Sequence, residues 1–450
     1  MRVHVLFLFI LIASSTYLKA QQILEKYIQE GLRNNEAIKQ QQFLLQKNLL
    51  ALRESKAMFL PTSSLNGLYT RAQGGRSFDL PLGDLLNPAY NTLNKMTGTN
   101  NFPQVDNKKI LFNPNDFYDV KVHTTIPLVN AEIFYNEKIR KELISFQNAE
   151  VNVYKRELIK DIKTAYFKYW QADQAVRIYE QALKLVNEGN RINKSLQANG
   201  RANRTSASRA ATEISKVEAS LNESLASREN SKMYFNFLLN RGLNEEIQID
   251  EAELNDEFDF SRADTSILKR DELKKTASAL QISSYSNRLA KSYLVPKVGV
   301  FFDMGSQGFQ WQVNQNSMYY FGGVTLEWNL FSFGRNSLRA SQVEQDFKIV
   351  KSQKDATVDQ LSLQLSMAVK NYEAARSNYT SAIDQVKSAE NYYTDILRLY
   401  SEGRAMYIEL LDAQNQYTEA QMKESISKCA VLIRTAEIER SISSYNLNTK

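Results

Sequence analysis

Proline placement constrains this chain more than any other feature. The prolines are Pro61, Pro81, Pro88, Pro103, Pro114, Pro127 and Pro296, so none falls within residues 128–295 or 297–450. Proline inside a helix removes a backbone donor and clashes with the preceding turn. Both proline-free runs are therefore open to long helices, and their apolar pattern agrees. Val358, Leu361, Leu365, Ala368, Tyr372, Ala375, Tyr379, Ile383, Val386, Ala389, Tyr393, Ile396 and Tyr400 recur at steps of three and four, the spacing of a coiled-coil seam. Many of these are Ala or Tyr, which permit close helix approach and a partly wet wall. A single helix from Leu338 to Glu402 would extend roughly 100 Å, a length for which a globular domain has no use. Glycine is sparse in these runs. Gly200 and Gly403 stand where antiparallel helices would turn.

Four short segments change to a period of two, predicting strands at about 62–73, 116–128, 296–304 and 318–331. The clearest case alternates Tyr118, Val120, Val122, Thr124 and Ile126 with Asp119, Lys121, His123 and Thr125. One face is apolar and could meet lipid, while the other is polar and could meet a lumen. His123 is most simply a lumen-facing residue. Aromatic residues gather near the strand ends, among them Tyr69, Tyr118, Tyr319, Tyr320, Trp328 and Phe331, as in belts at membrane interfaces. A soluble sheet with one wet face would share the alternation. Four strands cannot close a barrel, which needs about eight. Open edges in lipid would leave backbone groups unsatisfied at several kcal/mol each. Spanning strands would therefore have to come from several chains.

The order helix, strand, loop, strand, long helix, turn, helix occurs twice. Asn35 to Pro61 and Arg270 to Pro296 are equal spans, and Leu128 to Gly200 differs by one residue from Leu330 to Gly403. Both turns read Gly-Arg-Ala. The first half has extra length from about Arg71 to Asn115, expected as a long, irregular loop outside the barrel. The division expected is residues 1–20 as a signal peptide, 21–240 as a first repeat, 241–265 as a linker and 266–450 as a second repeat. The signal rests on Arg2, the apolar run Val5 to Ala13, and Ala20 before Gln21 as the cleavage point.

Composition excludes several classes. A mean hydropathy of −0.44 rules out a bundle of transmembrane helices but not a barrel. Cys429 is the single cysteine, so no intramolecular disulfide forms, and His4 in the signal leaves His123 as the mature histidine. No nucleophile–base pair or metal-ligand spacing is visible, so neither an enzyme nor a cofactor is expected. The formal net charge of +6 comes from interspersed acids and bases, not from a nucleic-acid footprint.

A series of motifs in order along the chain resembles the TolC-type outer membrane efflux family. In the second half these are Arg270-Asp271-Glu272-Leu273, with Asp271 where the family has proline, then Leu294-Val295-Pro296, then Trp328 to Gly334, and Tyr400-Ser401-Glu402-Gly403 followed by Glu409 to Gln414. Asn34-Asn35, Leu60-Pro61, Ile126-Pro127-Leu128 and Asn199-Gly200 match more loosely in the first half. The resemblance covers essentially the whole mature chain. It implies an α+β membrane protein: a long antiparallel α-helical coiled-coil barrel plus four β-strands per chain in a shared twelve-stranded trimeric β-barrel. It further implies an outer-membrane homotrimer of a Gram-negative bacterium that reaches through the periplasm. Such a duct is a passive exit for efflux or type I secretion. It takes cargo from an inner-membrane pump of the RND or ABC type through a periplasmic adaptor.

Site residues follow from the same resemblance. Glu409 and Asp412 hold the places of carboxylates that line the periplasmic entrance. Tyr400 matches a tyrosine that latches the closed state. The latch's acidic and arginine positions are Ser206 and Ala405 here, so its salt bridge is absent. Gly200, Arg201, Gly403 and Arg404 are the expected adaptor contacts, and Arg204 and Arg209 add positive charge to the first tip. The rival reading is a soluble periplasmic coiled-coil adaptor or scaffold, which would need neither alternating strands nor a duplicated layout.

Overall fold

A computed structural model describes residues 23–113, 115–200, 204–255 and 266–447. The expected signal peptide, Arg201 and most of the end of the expected linker lie outside the described residues. The elements, in order, are α1 (Ile23–Asn34), α2 (Glu36–Ala57), β1 (Thr62–Thr70), β2 (Ser77–Leu80), α3 (Leu82–Thr97), β3 (Lys108–Leu111), β4 (Phe117–Val129), α4 (Ala131–Ala198), α5 (Arg204–Leu239), α6 (Asp271–Lys291), β5 (Lys297–Phe309), β6 (Met318–Glu327), α7 (Arg335–Ser401) and α8 (Tyr407–Ile442). Helix α4 has 68 residues and α7 has 67, each about 100 Å at ~1.5 Å per residue. None of the described helices is apolar enough to cross a membrane.

The chain divides into two compact units that do not follow chain order, since each draws on both halves. One unit holds the N-terminal segment to Leu49, Lys141–Ser283 and Gln345–Lys450. The other holds Leu50–Arg140 and Ser284–Glu344.

The first unit is helical. Its largest core joins α1, α4, α5 and α8 through Ile28, Ile162, Tyr166, Phe167, Trp170, Phe235, Leu239 and Leu432. Tyr27 and Phe235 meet edge to face at 5.1 Å. Helix α7 packs on α8 through Ala368, Tyr372 and Ala375 against Val431, Ile438 and Ile442. The seam expected along α7 holds at Leu361, Ala368, Tyr372, Ala375, Tyr393 and Tyr400, all buried. It shifts at one step, where Ala382 is fully buried and Ile383 is 44% exposed. A helix of 3.6 residues per turn drifts against a 3.5 repeat, and a step of three in place of four absorbs the drift.

An ion network ties the start of α6 to α4 and to the end of α8. Arg156 Nε donates to Asp271 at 2.6 Å, and its Nη1 donates to the Ser443 and Tyr445 carbonyls at 3.1 and 2.8 Å. Asp271 is fully buried, so this pair occupies the place where the family motif has proline. Glu272 accepts from Arg270 Nη2 at 2.7 Å and from Arg440 Nη2 at 2.6 Å. Burial alone would raise the Glu272 pKa, but the hydrogen bonds from Arg270 and Arg440 outweigh it and hold it at about 2.

The second unit is built on a four-stranded antiparallel sheet, ordered β1-β4-β5-β6. All four strands join helices at one end and loops at the other. The register sets Leu65, Val122, Met304 and Tyr320 in one row across the sheet. The neighbouring row is Ser64, His123, Asp303 and Phe321. Alternation along each strand carries these rows to opposite faces. Strand β5 runs to Phe309, beyond the expected 304, and β6 ends at Glu327, short of the expected 331.

The stretch expected to be an irregular loop is ordered. A hairpin, β2 with β3, pairs Phe78 with Ile110, and α3 lies between its strands. Pro81 stands at the N-cap of α3, and Pro88 lies inside the helix, where Thr92 Oγ1 donates to its carbonyl at 2.9 Å. Neither proline breaks the helix. Asparagine contacts to the following segment, described below, hold the helix in place.

Candidate functional site

The tips of the two long hairpins pack together within the helical unit. Gly200 and Gly403 both take left-handed backbone, at φ +71° and +75°, which glycine adopts without a Cβ clash. Gly403 N donates to the Tyr400 carbonyl at 3.0 Å, closing the end of α7. Behind the turns, Tyr393, Tyr400, Tyr407, Leu410, Leu411, Ala413 and Tyr417 form a buried cluster with Ala210. Leu185, Ile192 and Leu196 of α4 pack against it.

Tyr400 is buried in this cluster. Its hydroxyl donates to Asn193 Oδ1 of α4 at 3.3 Å, and its ring tilts against Tyr407 at 5.7 Å. Burial pushes the hydroxyl pKa of Tyr400 up and that of Tyr407 to about 12. Both therefore remain neutral donors at physiological pH. Gln414 Nε2 donates to the Leu185 carbonyl at 3.0 Å. Asn193 Nδ2, Tyr407 Oη and Gln414 Oε1 are buried with no hydrogen-bond partner among the described residues. An unsatisfied buried polar atom costs about 1–3 kcal/mol, so this joint of α4, α7 and α8 is held by few polar bonds.

The two carboxylates are differently engaged. Glu409 Oε2 accepts from Met406 N at 2.7 Å, capping the start of α8. Asp412 is exposed and accepts from Gln416 Nε2 at 2.7 Å. Their spacing puts them on one helix face. Arg404 is exposed and pairs with Glu402 at 3.3 Å; exposed pairs of this kind contribute about 0–1 kcal/mol. Arg209 and Gly403 are exposed, Ser206 is half-buried, and Ala405 packs against the tyrosine cluster. Sequence reasoning missed Asn193 and Gln414. The signal for Asn193 was its place in the run Ala182, Val186, Gly189, Asn193, which steps four, three, four like any seam.

The sheet carries the other expected positions. Its apolar face is open: Leu65 is 74% exposed, Tyr320 79% and Val324 70%. On the polar face Asp303 is buried between Lys121 Nζ, at 3.1 Å, and the His123 ring. Tyr319 donates to Asp119 at 2.8 Å on that face. Tyr69 is exposed and donates to Asp116 at 2.7 Å. Trp328 and Phe331 are exposed beyond the end of β6. Tyr118 departs from the expected exposed belt, being 1% exposed. Trp311, which sequence reasoning passed over, stacks on Tyr118 at 5.0 Å and on Tyr69 at 5.5 Å. The Tyr118 hydroxyl donates to the Gln312 carbonyl at 3.0 Å, closing the loop between β5 and β6 onto the sheet. Among the described residues no cluster of His, Cys, Asp or Glu has a metal-binding arrangement.

Comparison with known proteins bears on this geometry. No curated protein has a similar sequence. Three solved channels share the fold. The outer membrane protein VceC of Vibrio cholerae superposes with a TM-score of 0.75 at 15% identity, over 93% of this chain and 95% of that one. The CmeC outer membrane channel of Campylobacter jejuni gives 0.76 at 14% identity, over 93% and 85%. The open state of the MtrE outer membrane channel of Neisseria gonorrhoeae gives 0.75 at 15% identity, over 93% and 88%. Residues 263–442 match the family model for outer membrane efflux proteins. The family match thus lies in the second half of the chain, while the fold of these outer membrane proteins extends over 93% of its length.

Proposed function

We propose that three copies of this chain form an outer-membrane exit duct, open to a pump on the periplasmic side. The observation that carries this reading is the sheet. One face exposes Leu65, Tyr320, Val324 and Leu326, while β1 and β6 are left as free edges. In water such a face is a liability, and in lipid such edges are costly. Pairing β1 of one chain with β6 of the next removes both problems in a closed barrel of twelve strands. The soluble-scaffold reading leaves the apolar face without a use.

The long helices then continue the wall into the periplasm, and cargo passes without chemistry. An inner-membrane pump of the RND or ABC type supplies the cargo through a periplasmic adaptor that meets Gly200, Arg201, Gly403 and Arg404. Tyr400 with Asn193 holds the tips shut, and Asp412 and Glu409 from three chains ring the entrance. Carboxylate rings favour cations and bind divalent ions that block a pore. Purified protein added to a planar bilayer should give stepwise conductance that millimolar divalent cation blocks from the tip side. Protein that inserts without conducting, in the Tyr400→Phe variant as well as the wild type, would overturn the duct. Conductance with no divalent block would remove the carboxylate ring alone.

A further inference from the structure

Helix α3 is amphipathic the wrong way round for a helix that caps its own chain. Its asparagines face inward. Asn87 bonds both backbone groups of Val105, at 2.9 and 2.8 Å, and Asn94 bonds both of Phe102, at 2.8 and 3.1 Å. These bonds clamp the following segment along the polar side. The apolar side is left open: Leu86 is 38% exposed, Leu93 40% and Met96 80%.

The apolar side is also regular. Leu82, Leu86, Ala89, Leu93 and Met96 are spaced four, three, four, three, the a/d pattern of a coiled-coil seam. No charge interrupts it. The seam therefore fits other helices of the same kind, and we propose that α3 packs against α3 of the two neighbouring chains. The three helices form a bundle over the extracellular mouth of the barrel.

The place of the insertion supports that occupant. The insertion leaves the sheet at Thr70 of β1 and returns at Phe117 of β4, both at the loop ends of the strands. Strand β1 is an edge of the sheet. In a shared barrel that edge is the seam between chains, so α3 is rooted beside the interface and its partners lie within reach. A 16-residue helix would associate weakly alone, but tethering at a common rim raises its effective concentration to about millimolar. A lipid surface fits less well. A helix lying in the headgroups carries Lys and Arg along its polar side; α3 has Lys95 alone, and its asparagines are taken up by its own chain. The bundle would narrow the outer mouth while leaving the tip gate untouched.

This inference rests on the trimeric duct, and the test separates the two. Leu93→Cys and Lys95→Cys are made singly in the full chain, in outer membranes, and oxidised mildly before extraction. Cys429 stays in place, since it is 1% exposed and burial pushes its thiol up to about 12. Native mass is read beside a denaturing, non-reducing gel. The bundle predicts a trimer in which Leu93→Cys links two of the three chains and Lys95→Cys, on the far side of α3, links none. A trimer with no Leu93→Cys link, or with equal linking at both sites, overturns the bundle. A native monomer overturns the duct on which it rests.

Discussion

Replacing Asp271 with alanine removes the partner of a charge that the fold has already desolvated. Arg156 is 12% exposed at its side chain and Asp271 1%. Breaking a buried pair from one side costs about 3–5 kcal/mol, because the other charge is stranded. Two carbonyls, of Ser443 and Tyr445, still accept from Arg156 Nη1, so the low end applies. The expected loss is about 3 kcal/mol, roughly a hundredfold in the unfolding equilibrium. The assay is denaturant unfolding of the detergent-solubilised protein, followed by tryptophan fluorescence, for Asp271→Ala, Arg156→Met and the double variant. The double variant strands neither charge, so it should lose less than the two single losses together, with a coupling above about 1 kcal/mol. Additive losses would refute the claim that the two residues act as a pair. Asp271→Pro restores the family motif and proline suits a first helical turn, yet it should lose the same pair.

Three further outcomes are expected. Glu272 has a folded-state pKa of about 2, below the ordinary glutamate value near 4.3. Its contribution, about 3 kcal/mol, is present above roughly pH 4.5 and fades as pH falls toward 2; in a pH titration of stability Glu272→Gln should flatten that acid limb. Tyr400→Phe removes the bond to Asn193, costs about 1 kcal/mol at the tip, and should raise the open-channel fraction in bilayer recordings; unchanged conductance would count against the latch. Asp412→Asn should weaken divalent block at unchanged stability, whereas Glu409→Gln should also cost about 0.5–1 kcal/mol through the α8 cap it makes with Met406 N.

Much of the fold was legible because its signals are periodic. The proline-free runs, the alternating strands and the turn glycines each follow from backbone sterics, which act locally. The seam drift at Ala382 was not legible, since Ala382 and Ile383 are both apolar and the choice depends on what α8 presents. The end of β5 was hidden because Gly305 and Gly308 interrupt the alternation with residues that have no side chain. Helix α3 was hidden by its prolines, which bracket and enter it without breaking it. At the tip, Tyr400, Glu409 and Asp412 were visible through family motifs. Asn193 was not, because the meeting of residues 193 and 400 is a tertiary fact, and a lone asparagine on a seam has no partner in sequence. Tyr118 looked like a belt residue for the same reason: its cover, Trp311, comes from a loop in the other half.

The central claim is that four strands per chain are completed by other copies in a membrane. Native mass measured after detergent extraction of isolated outer membranes tests it most directly. The account predicts a homotrimer that is released by detergent alone. Release by salt or buffer, or a monomer in mild detergent, would contradict it and favour the soluble scaffold.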